Sequence, residues 1–159
     1  MNRVSFELEM DGLRLIEDRT GVEIRRYATP SWFHCTVFDR HDYVKAACVA
    51  EPQSLFEVHF SAAIEDPTAI TRRLLKTIFG TLFSRYARIV AKVEPDNYHS
   101  ADVVRRLGFQ YAGFLRRGLD GNRDAYIFDM LRDDCRWLPG YEGGTIIRHD
   151  FAGEPIGMH

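Results

Sequence analysis

Glu57 and His59 are the residues of this chain best placed by type and spacing to move a proton. They stand two positions apart in LFEVHF, where alternation puts Glu57, His59 and Ser61 on one strand face and Phe56, Val58 and Phe60 on the other. A carboxylate and an imidazole on a shared face have the chemistry of a general base and acid. The same pattern equally describes a solvated face with a structural histidine. Arg72 and Arg73 are candidates for holding an anion, or else they solvate the outer face of a helix. Asn97 is either a helix N-cap or a ligand-contacting amide. Arg105-Arg106, Arg116-Arg117 and Arg123 make a local basic cluster that could meet phosphate or an acidic partner. His34-Cys35 and His41-Asp42 give no convergent ligand set, and the spacing of Cys35, Cys48 and Cys135 offers no zinc signature, so no metal site is expected.

The elements that must position these residues can be read from periodicity. In the first forty residues, Val4, Phe6 and Leu8, then Leu13 and Leu15, then Val22 and Ile24 follow period 2. Asp11-Gly12 and Thr20-Gly21 break that pattern as turn dipeptides, so this region reads as strands. Three more strands are expected at about 31–39, 43–50 and 54–63. The period then changes. Asp66 is a candidate N-cap with Pro67 at the first helical position, and Ile70, Leu74, Ile78, Leu82 and Tyr86 form a stripe widened by Leu75, Phe79 and Phe83. Leu74, Ile78, Leu82 and Phe109 are the expected core where this long helix meets a sheet. Residues 88–109, RIVAKVEPDNYHSADVVRRLGF, read as one unit: a strand over Arg88 to Val93, Asn97 as N-cap, a short helix with Val103, Val104 and Leu107 inward, and Gly108 closing it.

Bulk composition bounds the alternatives. The chain has 159 residues, the usual size of one domain, with 45% hydrophobic and 28% charged residues. A formal charge of −2 gives no global field favouring nucleic acid or a membrane surface. No apolar run approaches a spanning helix, MNRVSFELEMD has no signal-peptide pattern, and three widely spaced cysteines argue against a disulfide framework. A cytoplasmic setting is expected, in a host cell or a virion if the chain is phage-encoded.

The order strand, Pro-Asp-Asn, short helix, Leu-Gly-Phe resembles the C-terminal half of the Gcn5-related N-acetyltransferase (GNAT) superfamily, and YAGFLRRGLDGNRDAYIFDMLRDDCRWL resembles its two closing strands and exit. The resemblance covers about residues 31–138. It implies an α/β fold with a mixed, twisted sheet and one long and one short helix, here with a strand-rich N-terminus in place of the family's two early helices. The expected organisation is a domain over 1–138 and an irregular tail over 139–159. The resemblance also implies a base on the strand before the long helix, where Glu57 and His59 fall, and a pantetheine contact at Asn97. Acetyl-CoA pyrophosphate would bind at the long helix's N-terminus. There IEDPTAITRR has no glycine, Pro67 lacks an amide, and Glu65 and Asp66 bring carboxylates, with Arg72 and Arg73 as partial compensation. Many members carry a thiolate-protonating tyrosine four residues before the glycine of Leu-Gly-Phe; that position is Val104.

Glu57-Val58-His59 also resembles a subgroup of phage-encoded members, some acyltransferases and others head or internal virion proteins. Two functions follow from these resemblances. In the first, the chain is a degenerate GNAT relative, binding no cofactor and serving in phage structure, assembly or protein interaction. Its apolar tail residues Tyr141, Ile146, Ile147, Phe151 and Ile156 would meet a protein partner or a second copy. The alternative is an acetyl-CoA-dependent N-acyltransferase with Glu57 as base. Neither a nucleic acid nor a membrane is an expected partner.

Overall fold

The computed structural model describes residues 1–143. Its elements run β1 (Arg3–Ser5), α1 (Met10–Thr20), β2 (Phe33–Phe38), β3 (Val44–Pro52), β4 (Glu57–Ile64), α2 (Arg72–Phe83), β5 (Arg88–Val93), α3 (Tyr98–Leu107), β6 (Gln110–Leu115) and β7 (Ala125–Leu131), with short 3₁₀ turns at Pro67–Ala69 and Arg132–Asp134. The strands form one seven-stranded sheet ordered β1-β2-β3-β4-β5-β7-β6. Every neighbouring pair is antiparallel except β4 and β5, which the crossover through α2 makes parallel.

The long-helix core is as expected. Leu74, Ile78, Leu82 and Phe109 are all buried, and Phe109 stacks on Phe60 at 5.6 Å between centroids while Phe60 lies 5.7 Å from Phe79. Val58, Phe60, Ile89, Ala91, Phe128 and Met130 supply the sheet side of this core, against α2 and the buried face of α3, Ala101, Val104 and Leu107. Gly108 closes α3 at φ 109°, a conformation that costs a side-chain-bearing residue energy.

The N-terminal region departs from the sequence reading in two places: over 10–20, and at Val22 and Ile24, which read as strand and lie in the irregular chain between α1 and β2. Met10–Thr20 is a helix, and its inward residues are Gly12, Leu13 and Ile16, a helical spacing rather than an alternation. Leu13 and Ile16 pack with Ala47, Val49 and Ala63 on the sheet face opposite α2 and α3. Gly12 is therefore not a turn residue: a side chain there would collide with Thr36 of β2, so its absence lets α1 approach the sheet. Gly21 does end the element, as a left-handed C-cap at φ 73°. Beyond it, Glu17 accepts from the Ile24 and Arg25 amides at 2.6 and 2.9 Å and fixes the irregular chain that returns to β2.

The long helix also starts later than expected. Asp66 caps only the 3₁₀ turn, accepting from Thr68 N and Oγ1, whereas Thr71 caps α2 by accepting from Leu74 N at 3.0 Å. The helix ends at Phe83, so Tyr86 lies outside it although still packed on the core. Most of the apolar tail, with Ile146, Ile147, Phe151 and Ile156, falls outside the described residues.

Candidate active site

The one parallel strand pair among the described residues opens as it runs. β4 and β5 are in register at Glu57–Arg88, Val58–Ile89 and His59–Val90, and their pairing stops there, although β4 continues to Ile64 and β5 to Val93. Past His59 the facing edges therefore carry backbone amides and carbonyls that no β4–β5 ladder uses. The carboxyl ends of a parallel pair, where the following helices begin, are where open α/β sheets bind ligands. A cavity of about 310 Å³ lies between the start of α2 and one side of α3, with Ile64 at the end of β4 in its wall. Ile64, Ile70, Leu75 and Val103 give it apolar walls, and Arg72, His99, Arg106 and the carboxylate of Asp102 give it polar ones.

At the inner end of the opening stand Glu57 and His59. Glu57 Oε1 accepts from Arg88 Nη1 at 2.5 Å, and Arg88 reaches on to Asp129 at 3.0–3.1 Å, so this carboxylate is part of a three-residue chain across β4, β5 and β7. His59 is different. The residue is half-buried, but its Nε2 is sealed from solvent and has no hydrogen-bond partner. Loss of hydration, assisted by the nearby Lys92 ammonium, pushes its pKa from 6.5 down to about 4. The imidazole is thus neutral at physiological pH, with a ring nitrogen that lacks the partner buried polar atoms normally have. Sequence alternation grouped His59 with Glu57, and the fold separates their environments.

The loop that reads as hostile to phosphates is built otherwise. Pro67 lies in the 3₁₀ turn, five positions before α2 begins, so its missing amide is not one of the first-turn donors of that helix. Arg72 and Arg73 occupy those first-turn positions, whose N–H groups have no intrahelical acceptor. Glu65 is ion-paired to Arg19 of α1, and Asp66 is committed to Thr68, hydrogen bonds that hold its carboxyl below the usual range. The two carboxylates therefore have their own partners. The helix-start amides and the Arg72 guanidinium are donors of the kind an anionic phosphate requires, and the unpaired strand edges are donors and acceptors of the kind an amide-bearing chain requires.

Asn97 serves the scaffold with both ends of its amide. Oδ1 accepts from Ser100 N at 3.1 Å, and Nδ2 donates to the Arg19 carbonyl at 2.9 Å, tying α3 to the end of α1. Arg72 and Arg73 are both exposed at the start of α2, and the Arg72 guanidinium lies 5.5 Å from the Trp137 ring centroid. Val104 is buried in the core, and His99, near the start of α3, lines the cavity. Among the described residues no cluster of three or more metal-ligating side chains occurs. No helix among them is long and apolar enough to cross a membrane. Arg105 and Arg106 are partly neutralised by Asp102, and Arg123 by Glu94 and Asp120.

The sequence matches no protein-family model and no curated protein. Solved structures do match. The ribosomal-protein-S18-alanine N-acetyltransferase of Escherichia coli superposes with a TM-score of 0.58 at 21% identity, over 82% of this chain and 94% of its own. The chain has the GNAT acetyltransferase fold. A GNAT family acetyltransferase from Elizabethkingia anophelis, solved with acetyl-CoA bound, gives 0.61 at 13% identity over 82% and 97%. The spermidine/spermine N-acetyltransferase SpeG of Vibrio cholerae, in mutant forms, gives 0.57 at 14% identity over 83% and 95%. None of these comparisons supports a phage-encoded closest relative, and the expectation that no cofactor is used loses its basis in the loop. The strand-rich N-terminus fits the fold once α1 is placed between β1 and β2.

Proposed function

We propose that this GNAT-fold protein is an acetyl-CoA-dependent N-acyltransferase. The observation that carries the reading is the end of the β4–β5 pairing at His59, together with a cavity at the start of α2 that has Ile64 of β4 in its wall. Bound acetyl-CoA would supply an activated acetyl thioester. The helix-start amides of Arg72 and Arg73, with the Arg72 guanidinium, are suited to its phosphates. The free strand edges are suited to an amide-bearing arm, which they would align as an additional strand is aligned. Apolar walls from Ile64, Ile70, Leu75 and Val103 would keep water from the thioester side.

His59 is the proton acceptor in this reading. Its imidazole is neutral at physiological pH, and Nε2, sealed and unpartnered in this structure, takes a hydrogen bond from an amine or a water only once acceptor binding opens a path to it. Glu57, fixed by Arg88, has a positioning role: it holds the paired ends of β4 and β5 together below the opening. An assembly role was motivated by a glycine-free acidic loop, and that loop's carboxylates now have local partners, so transfer chemistry is the better-supported reading. The test is calorimetric titration with acetyl-CoA and CoA, followed by acetyl transfer to a panel of amines. Binding in the micromolar range and transfer that falls at least about 100-fold in His59→Gln, within the usual size of a general-base contribution, are expected. No binding at millimolar acetyl-CoA would overturn it.

A further inference from the structure

Cys35 of β2 and Cys48 of β3 stand directly opposite one another, as Cα partners in the antiparallel ladder. Residues so opposed share a sheet face and have Cα atoms about 4.5 or 5.5 Å apart, both within the span of roughly 4.4–6.8 Å that a disulfide bridges. Both thiols are free and buried, 2% and 7% exposed, in the core between the sheet and α2. They hydrogen-bond each other in a polarised way. That bond lowers the Cys35 pKa, whereas the same bond, burial and the charge forming on Cys35 push the Cys48 thiol well up. Cys35 is therefore the member that ionises and Cys48 the member that donates. A cavity of about 30 Å³ is lined by both residues and has room for a molecule little larger than water. Ile64, Ile70, Leu75 and Leu107 line it too, and the same four stand in the wall of the larger cavity at the start of α2. One layer of side chains thus separates the two cavities.

We propose that Cys35 and Cys48 form a peroxide-sensitive dithiol, a redox switch behind the wall of the candidate site that closes to a disulfide within the folded chain. The Cys35 thiolate attacks one oxygen of hydrogen peroxide and the O–O bond breaks. The hydroxide that leaves takes up the proton Cys35 released, giving water and a sulfenic acid at Cys35. The Cys48 sulfur then attacks the Cys35 sulfur, the S–O bond breaks, and the hydroxyl departs with the Cys48 proton as a second water. Two thiols give up two electrons in all, and one peroxide is reduced to two waters. A small neutral oxidant passes one layer of side chains by rotamer changes, whereas oxidised glutathione needs the strands parted. Cys135 lies beyond β7, outside this ladder, and takes no part. The switch does not depend on the acyl transfer proposed above.

The experiment exposes the reduced full chain to hydrogen peroxide or to oxidised glutathione at equal concentration, alkylates the remaining thiols and maps the peptides by mass spectrometry. Peroxide is expected to yield the Cys35–Cys48 cross-linked peptide at least about tenfold faster than oxidised glutathione does, and dithiothreitol should return both thiols. Cys135→Ser should form the same cross-link at the wild-type rate. In Cys48→Ser, Cys35 should stop as a sulfenic acid that dimedone captures, and in Cys35→Ser the oxidation of Cys48 should slow about tenfold or more. Absence of the cross-linked peptide after peroxide, or its formation equally fast with oxidised glutathione, overturns the proposal. Undiminished oxidation of Cys48 in Cys35→Ser overturns it as well. The wild-type mapping decides by itself, so a variant that fails to fold leaves the test intact.

Discussion

His59 gives the sharpest prediction, because its environment has a cost that depends on pH. Burial and Lys92 lower its pKa from 6.5 to about 4 in the folded chain, whereas unfolding returns it to the ordinary value. Above about pH 6.5 the ring is neutral in both states, and no penalty arises. As pH falls below that value the unfolded chain takes up a proton that the folded chain refuses, so folded-state stability drops. The drop saturates below about pH 4, where both states are protonated. At about 1.36 kcal/mol per pKa unit, the whole difference is roughly 3 kcal/mol, of which roughly 2 kcal/mol is already lost at pH 5. Urea unfolding of wild type and His59→Gln at pH 7.5 and pH 5.0 reads this directly, since the glutamine cannot titrate. Wild type should lose roughly 2 kcal/mol more than the variant over that interval, and Lys92→Met should shrink the loss by removing the second cause. Parallel losses in wild type and His59→Gln would refute a buried neutral imidazole, and with it the proton-accepting role.

Four further outcomes are expected. Leu82→Ala, at a site 1% exposed in the α2 core, should cost about 2–5 kcal/mol by denaturant unfolding. Gly12→Ala should destabilise, against the usual helix preference for alanine, because the new methyl meets Thr36; a stabilised variant would mean α1 sits farther from β2. Thr71→Ala should cost about 1 kcal/mol of stability through lost capping of α2 and weaken acetyl-CoA binding as the helix start frays, both measurable on one sample. Arg19→Ala should weaken acetyl-CoA binding by releasing the Glu65 charge beside the phosphate position, more so at low salt; unchanged affinity in calorimetry would show that Glu65 is too distant to matter.

The sequence by itself determined those parts whose cause is local. Alternation fixed β2 to β5, the stripe of Leu74, Ile78 and Leu82 fixed the buried side of α2, and Asn97 and Gly108 delimited α3, because caps and periodicity act within a few residues. The order of those elements sufficed for the GNAT fold and for locating Glu57 and His59 on one polar face. Tertiary structure decided what depends on contacts distant in the chain. Met10–Thr20 became a helix because Thr36, Ala47, Val49 and Ala63 offer it a face and Gly12 lets it close in, facts that no window around residue 12 contains. Glu65 looked like an obstacle to phosphate until Arg19, 46 residues away, was found beside it. Glu57 and His59 looked equivalent, yet Arg88 and Asp129 engage one while dehydration neutralises the other. Trp137 joined the cavity wall only because the chain turns back after β7. Charge partners and dehydration are properties of the assembled interior, and they set which of the legible residues can do chemistry.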